Sequence, residues 1–273
     1  MVDNLSFGAL SLSRHIIVNT RPAHQQASLN GLLASRGARI ISFPSIEIAE
    51  PEMTDFHSSL RQNIAHYHIA LFVSRNAVDG AFRLLDPAQL ADDLLLGVIG
   101  EGSYFALAAQ VAELDRRLIH RPCASNETFN SESLLQALDL QPVKGKNIVI
   151  FRGQQGRNLL GDELRKRGAT VNYCEVYRRR LPGYDTGHYR RLCRNQPPTL
   201  AVFTSTEGMR NAIDLVDNQS HHDLLNTPWL LISEKMREPA LNLGHNATLI
   251  IAKNASDAGI LAAITEWTSE LTV

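Results

Sequence analysis

The chain repeats itself, and that duplication limits its fold more than any other feature. Residues 18–40 (VNTRPAHQQASLNGLLASRGARI) align with residues 149–171 (VIFRGQQGRNLLGDELRKRGATV) at an offset of 149 − 18 = 131 residues. Under it Arg21 falls on Arg152, Leu29 on Leu160, Leu33 on Leu164, and Arg36-Gly37-Ala38 on Arg167-Gly168-Ala169. The same offset carries Phe72-Val73-Ser74 onto Phe203-Thr204-Ser205, Leu118-Ile119 onto Leu249-Ile250, and Ala124-Ser125 onto Ala255-Ser256. A chance match drifts; this one holds over a hundred residues. Whatever one half folds into, the other folds into as well.

Each half opens with a short β-rich run (16–18; 148–151). A polar turn and a stretch with apolar residues at three- and four-residue spacing follow, which predicts a helix. Gly37 and Gly168 stand where such a helix ends on a left-handed residue. A second run follows at 40–43 and 171–173. Later strands are expected at 69–73, 95–99 and 117–120 in the first half, and at 200–203, 229–232 and 248–251 in the second. Strands alternating with helices imply parallel sheets covered on both faces. The fold class is therefore α/β, as two flavodoxin-like doubly wound parallel-sheet domains.

The proline-bounded stretches 44–51 (PSIEIAEP) and 175–182 (EVYRRRLP) occupy equivalent places in the repeats, since 46 + 131 = 177. They read as paired linker strands. If both cross the same gap, one domain is discontinuous (14–44 plus 181–273) and the other continuous (50–174). Residues 45–49 and 175–180 are then the two-stranded linker, and 1–13 an N-terminal extension. A simple split after Gln141 is the other arrangement that the pattern permits.

Length and composition suit this: 273 residues allow two cores, and 44% hydrophobic with 20% charged residues is a globular balance. With 27 basic and 28 acidic residues the net charge is −1, so no global field draws nucleic acid or an anionic membrane. An anionic ligand has to be held locally. Cys123, Cys174 and Cys193 form no CxxC pair and suggest no disulfide framework, which points to a reducing, cytoplasmic setting. The N-terminal residues make a poor signal peptide, and apolar runs such as 69–73 fall far short of the roughly 20 residues that span a bilayer.

In open α/β sheets ligands gather at the carboxyl ends of strands. There the sequence places Arg21, Ser74, Gly102, Ser103, Arg152, Gly153, Ser205, Ser233 and Lys235. Small and hydroxylic residues leave helix N-terminal N–H groups open to anions, although a Ser taken singly is more often a helix cap. Gly100-x-Gly102 lacks the third glycine of a dinucleotide fingerprint, because Phe105 stands there, and no Walker lysine is present. The run Arg152-Gly153-Gln154-Gln155-Gly156-Arg157 follows a strand and suits carboxylates, through backbone N–H groups and the guanidiniums of Arg152 and Arg157; a plain turn with solvated arginines fits equally well. His66/His68 and His221/His222 lack further ligands at zinc spacing, so no metal is expected. Arg178-Arg179-Arg180 is a short basic run of the kind that is usually a solvated strand face, although here it would border the proposed cleft. Tyr177 breaks the repeat most: its counterpart is Ile46, so a phenol replaces an aliphatic chain. It is either a half-buried amphipathic tyrosine or a hydrogen-bond donor.

These residues resemble the uroporphyrinogen-III synthases. The matching segments are VNTRP (18–22), LLASRGARIISFPSIEI (32–48), LFVSRNAV (71–78), IFRGQQGRNLLGDELRKRGATVNYCEVYRR (150–179), VFTSTEG (202–208) and LISEKM (231–236). The resemblance implies two flavodoxin-like domains on a two-stranded linker and favours the discontinuous arrangement. It also implies a cofactor-free monomeric lyase that closes the linear tetrapyrrole hydroxymethylbilane to uroporphyrinogen III with loss of water, in a cleft between its domains. A transient contact with the preceding pathway enzyme belongs to that expectation; nucleic acid and membrane do not. By the same resemblance Tyr177 assists departure of the hydroxyl, while Ser74, Ser103, Ser205 and Ser233 hold substrate. The chain departs from the pattern at Glu234-Lys235 and at Glu101, whose charge is unfavourable beside a polycarboxylate; Glu101 is expected to point away or to pair with a base. Two other classes share the architecture: a two-lobed binding or sensor module, and a nucleotide-dependent enzyme, which the incomplete glycine motif disfavours.

Overall fold

The computed structural model describes residues 11–119, 131–138, 142–154, 156–194 and 196–271. Cys123, Ala124-Ser125, Gln141, Gln155, His120 and residues 1–10 of the expected N-terminal extension lie outside them. The chain begins with β1 (Ile16–Asn19), α1 (Ala27–Ala34), β2 (Arg39–Ser42) and β3 (Glu47–Ala49). Next come α2 (Asp55–Asn63), β4 (Ile69–Phe72), α3 (Arg75–Leu84), β5 (Leu95–Val98), α4 (Glu101–Ala108) and α5 (Ser131–Ala137). The middle carries β6 (Asn147–Gly153), α6 (Leu159–Lys166), β7 (Thr170–Arg180), α7 (His188–Cys193) and β8 (Leu200–Phe203). The last stretch holds α8 (Thr206–Asp214), α9 (Asn218–Leu225), β9 (Trp229–Leu231), α10 (Arg237–Asn242), β10 (Leu249–Ile251) and α11 (Asp257–Glu270).

These elements form two compact units. The first combines the chain up to Glu47 with the chain from Arg180 onward, and the second is Ile48–Arg179. The first unit's sheet runs β2-β1-β8-β9-β10, all parallel. Renumbered within the unit this is 2-1-3-4-5, the flavodoxin-like order. The second sheet runs β7-β6-β4-β5 in parallel, with a single bridge from Leu96 to Leu118 beyond β5 and β3 outside β7. Its chain order starts at the third strand of the repeat and ends at the second, so it is the same fold circularly permuted.

Both faces of each sheet are covered, as uninterrupted apolar strands require. Along β4, Ala70 and Phe72 enter one core with α3 and α4, whereas Ile69 and Leu71 enter the opposite core with α5 and α6. Along β8, Ala201 and Phe203 face α8, α9 and α10, whereas Leu200 and Val202 face α1 and α11. The period of two along each strand produces this division. Burying each of these large side chains stabilises its unit by about 1.5–3 kcal/mol. Gly37 (φ +90°) and Gly168 (φ +86°) take the left-handed conformation after α1 and α6, in matching positions.

Two expected elements differ. The run at 171–173 and the linker at 175–180 are one 11-residue strand, β7. No glycine or proline interrupts the sequence between Thr170 and Arg180, and Pro182 is the first residue that lacks an N–H for the ladder. Of the strand expected at 117–120, the described residues 117–119 contribute the Leu118 bridge. A 3-10 turn at Leu114–Arg116 precedes it, and the Arg117 guanidinium donates to the carbonyls of Leu94 and Ala91.

Candidate active site

In the second unit β4 and β6 are neighbours, yet their following helices leave to opposite faces, α3 to one core and α6 to the other. Such a point opens a crevice beyond the strands' carboxyl ends. A pocket of about 310 Å³ lies there, lined among others by Ser74, Ile99, Arg152, Gly153, Arg157 and Tyr177. A larger hollow of about 710 Å³, between Pro87–Gln89 and the 110–117 segment, holds none of the expected site residues.

A β-bulge places Tyr177. Arg152 pairs with Glu175 in the β6–β7 ladder, but Gly153 pairs with Tyr177, so β7 carries one extra residue. Alternation breaks there, and Val176 and Tyr177 are both buried. The phenol lies on Gly153: a Cβ there would stand 2.6 Å from Tyr177 Cζ. Tyr177 Oη is 3.2 Å from Ser74 Oγ. Ser74 caps α3, its Oγ accepting from the Ala77 N–H at 3.1 Å. Tyr177 is only 4% exposed, so it is a buried phenol at a pocket wall and not the half-buried linker tyrosine that was one reading of the sequence.

The guanidinium of Arg152 is engaged within the protein. Its Nη1 donates to the Gly156 carbonyl at 3.0 Å and to Asn158 Oδ1 at 2.8 Å, and its Nη2 to Glu175 Oε1 at 3.1 Å. The same group lies 3.9 Å from the centre of the Tyr173 ring. Arg152 thus lines the pocket with both terminal nitrogens already paired inside the protein, whereas the sequence offered it as one arm of a two-arginine cradle for carboxylates. Arg157 is exposed on the 153–158 turn and lines the pocket. Beneath, burial pushes the Cys174 thiol up to about 12, with the Glu175 carboxylate adding to the rise.

The other expected residues fall elsewhere. Gly102 is exposed in the first turn of α4, whereas Ser103 is 5% exposed and faces the core; neither lines the pocket. Glu101 is exposed at the start of α4. Arg21, Ser205, Ser233 and Lys235 belong to the first unit. Arg21, expected at the rim, is already paired: Nη1 with Asp257 Oδ1, and Nη2 donating to the Ala255 carbonyl, so it ties β1 to the start of α11. Ser205 caps α8 through the Gly208 N–H at 2.9 Å, and Ser233 accepts from the Lys235 N–H at 3.3 Å. Glu234, one of the departures noted in the sequence, is paired with Arg237 at the surface.

Sequence reasoning missed Glu175 as the partner of Arg152, and Gly80, whose added Cβ would stand 2.5 Å from the Val176 carbonyl oxygen. It placed Arg179 in a basic run that is usually a solvated strand face, here bordering the expected cleft. That residue lines the pocket two positions beyond Tyr177 on β7, a spacing that puts it on the same strand face. Among the described residues no group of three or more His, Cys, Asp or Glu is arranged to hold a metal ion.

A family model described as "Uroporphyrinogen-III synthase HemD" matches residues 27–262. The chain is 30% identical over 266 residues to the uroporphyrinogen-III synthase of Salmonella typhimurium, and 29% identical over 253 residues to that of Escherichia coli. Each match covers 91% of this chain and 99% of the relative. Among solved structures, a mutant uroporphyrinogen III synthase from Thermus thermophilus aligns with TM-score 0.57 at 13% identity, covering 94% of this chain and 99% of that one. A uroporphyrinogen-III synthetase from Helicobacter pylori 26695 aligns with TM-score 0.56 at 15% identity, with the same coverage. At such identities the two structures speak for the fold alone.

Proposed function

The chain belongs to the uroporphyrinogen-III synthase family, and from that premise we propose that Tyr177 is its hydrogen-bond donor to the hydroxyl that leaves when hydroxymethylbilane is closed into uroporphyrinogen III. The activity is that of a cyclising lyase. One observation carries the assignment of Tyr177: the phenol sits at the strand-end crevice of the second unit, seated on Gly153 and within 3.2 Å of Ser74 Oγ.

The chemistry asks little of an acid. Loss of hydroxide from a pyrrole-CH2-OH group is driven by the electron-rich ring, so a well-placed phenol suffices. The leaving oxygen needs a donor when the C–O bond breaks, and a phenol held away from bulk water supplies one without reorganisation. In the second unit, substrate carboxylates are met by Arg157, by Arg179 and by main-chain N–H groups at the first turns of α3 and α4, including that of Gly102. In the first unit, the strand-end groups offered to carboxylates are the first-turn N–H groups beside Ser205 and Ser233, and Lys235. Arg21 and Arg152 shape the loops that present these groups.

We place the protein in the cytosol as a monomer, in transient contact with the enzyme that makes its substrate. The free thiols Cys174 and Cys193 suit a reducing compartment. The test of the activity is product isomerism. The protein is incubated with enzymatically generated hydroxymethylbilane, the products are oxidised, and type I and type III isomers are resolved. Type III product is expected; the type I isomer alone, which forms spontaneously, refutes the reading.

A further inference from the structure

The repeat supplies its own comparison for Ser74. Ser74 and Ser205 are equivalent residues, and each caps a helix by accepting a backbone N–H, from Ala77 at 3.1 Å and from Gly208 at 2.9 Å. Capping accounts for the hydroxyl in both places. Only in the second unit does a phenol reach it, because the residue equivalent to Tyr177 is Ile46, an aliphatic chain that packs near Gly208.

The second unit is also built so that this phenol and α3 come together. Gly80 of α3 lies directly against the Val176 carbonyl, where a Cβ would stand 2.5 Å from the oxygen. At the equivalent place in the first unit Asn211 keeps a side chain, whose Nδ2 donates to the Ser45 carbonyl at 2.9 Å. Gly153 leaves the space that the ring fills. Absent side chains at Gly80 and Gly153, with the bulge between them, deliver Tyr177 Oη to Ser74 Oγ.

A serine hydroxyl has one proton and two acceptor lone pairs. The Ala77 N–H occupies one lone pair of Ser74 and leaves its proton to donate. We infer that Ser74 donates to Tyr177 Oη and so leaves the phenol's own proton for the pocket; Ser74 is a positioning residue acting through Tyr177, and not a ligand of the substrate. This rests on the reading of Tyr177 given above. In the step the C–O bond of the hydroxymethyl group breaks with its electron pair on oxygen, and the phenol proton joins that oxygen to make water. The Ser74 hydroxyl stabilises the phenolate. The proton released from the pyrrole carbon when the macrocycle closes restores the phenol, and no proton leaves Ser74.

The test is a double-mutant cycle on the full chain with hydroxymethylbilane as substrate, following kcat and KM for type III product alongside the melting temperature. Ser74→Ala is expected to lower kcat by about ten- to a hundredfold with KM little changed, the size of a charge-assisted hydrogen bond. Ser74→Thr restores kcat. Ser74→Asp keeps the cap but, when ionised, has no proton to donate and instead accepts the phenol's, so it melts like the wild type while its kcat falls at least as far as that of Ser74→Ala. In the Tyr177→Phe background Ser74→Ala has no further effect on kcat, although it still removes the cap. A merely structural serine cannot produce that non-additivity. If Ser74→Ala slows Tyr177→Phe by the same factor as it slows the wild type, or raises KM with kcat kept, this inference is overturned and the role of Tyr177 stands. If Tyr177→Phe turns over undiminished, both fall.

Discussion

Gly153 shows how much a single absent side chain decides. The Tyr177 ring occupies the volume where a Cβ would stand, so Gly153→Ala has to displace the phenol or bend the bulge. Overpacking of this kind costs about 1–3 kcal/mol. We expect type III turnover to fall at least about tenfold, because a reacting donor moved by an ångström loses its alignment. Steady-state kinetics beside a thermal melt checks this, and full activity with an unchanged melt contradicts the seating of Tyr177. Cys174 carries a second prediction. Burial holds its thiol up to about 12, so at neutral pH it stays protonated and closed to reagents. Mass spectrometry after alkylation should find Cys174 unmodified in the native protein and modified after denaturation.

The elements were largely legible in the sequence because their signals are local. Apolar spacing marked α1 and α6, and the glycines after them follow from the left-handed turn that ends each helix. Since Gly37 and Gly168 fill one structural role twice, alanine at either should destabilise by about 1–2 kcal/mol, read in denaturant melts of each variant. What stayed illegible is what depends on pairing across the chain. The bulge is a register shift between β6 and β7, invisible until the two strands lie side by side. The partners of Arg152 and Arg21, Glu175 and Asp257, are 23 and 236 residues away, so each arginine read as a carboxylate ligand when it was already holding one. The proline that bounds each linker was visible, whereas the continuity of β7 was not, because a change of role along one strand leaves no composition signal.

At the scale of the whole molecule the repeat explains both likeness and difference. Two copies of one sheet order arise from one sequence pattern, the second permuted by where the chain enters it. They then diverge at matched positions: Ile46 against Tyr177, Asn211 against Gly80, Ser45 against Val176. The first unit also buries a histidine in its core. His245 is 3% exposed, its Nε2 faces the Thr227 carbonyl at 3.1 Å, and its ring lies 4.3 Å from that of Trp229. Burial lowers its proton affinity below the ordinary histidine value of 6.5, so the unfolded chain binds the proton more readily. Its contribution to stability is complete above 6.5 and is lost as the pH falls below that value. Melting temperatures between pH 7.5 and 5 should decline, and His245→Phe should flatten the decline.

The claim that orders all of this is that one phenol, placed by a bulge and an absent side chain, assists the loss of the hydroxyl. Its most direct measurement is the initial rate of type III product from Tyr177→Phe, with the fold verified by circular dichroism. A fall of about a hundredfold with the melt unchanged is expected; a rate equal to that of the wild type would remove Tyr177 from the reaction.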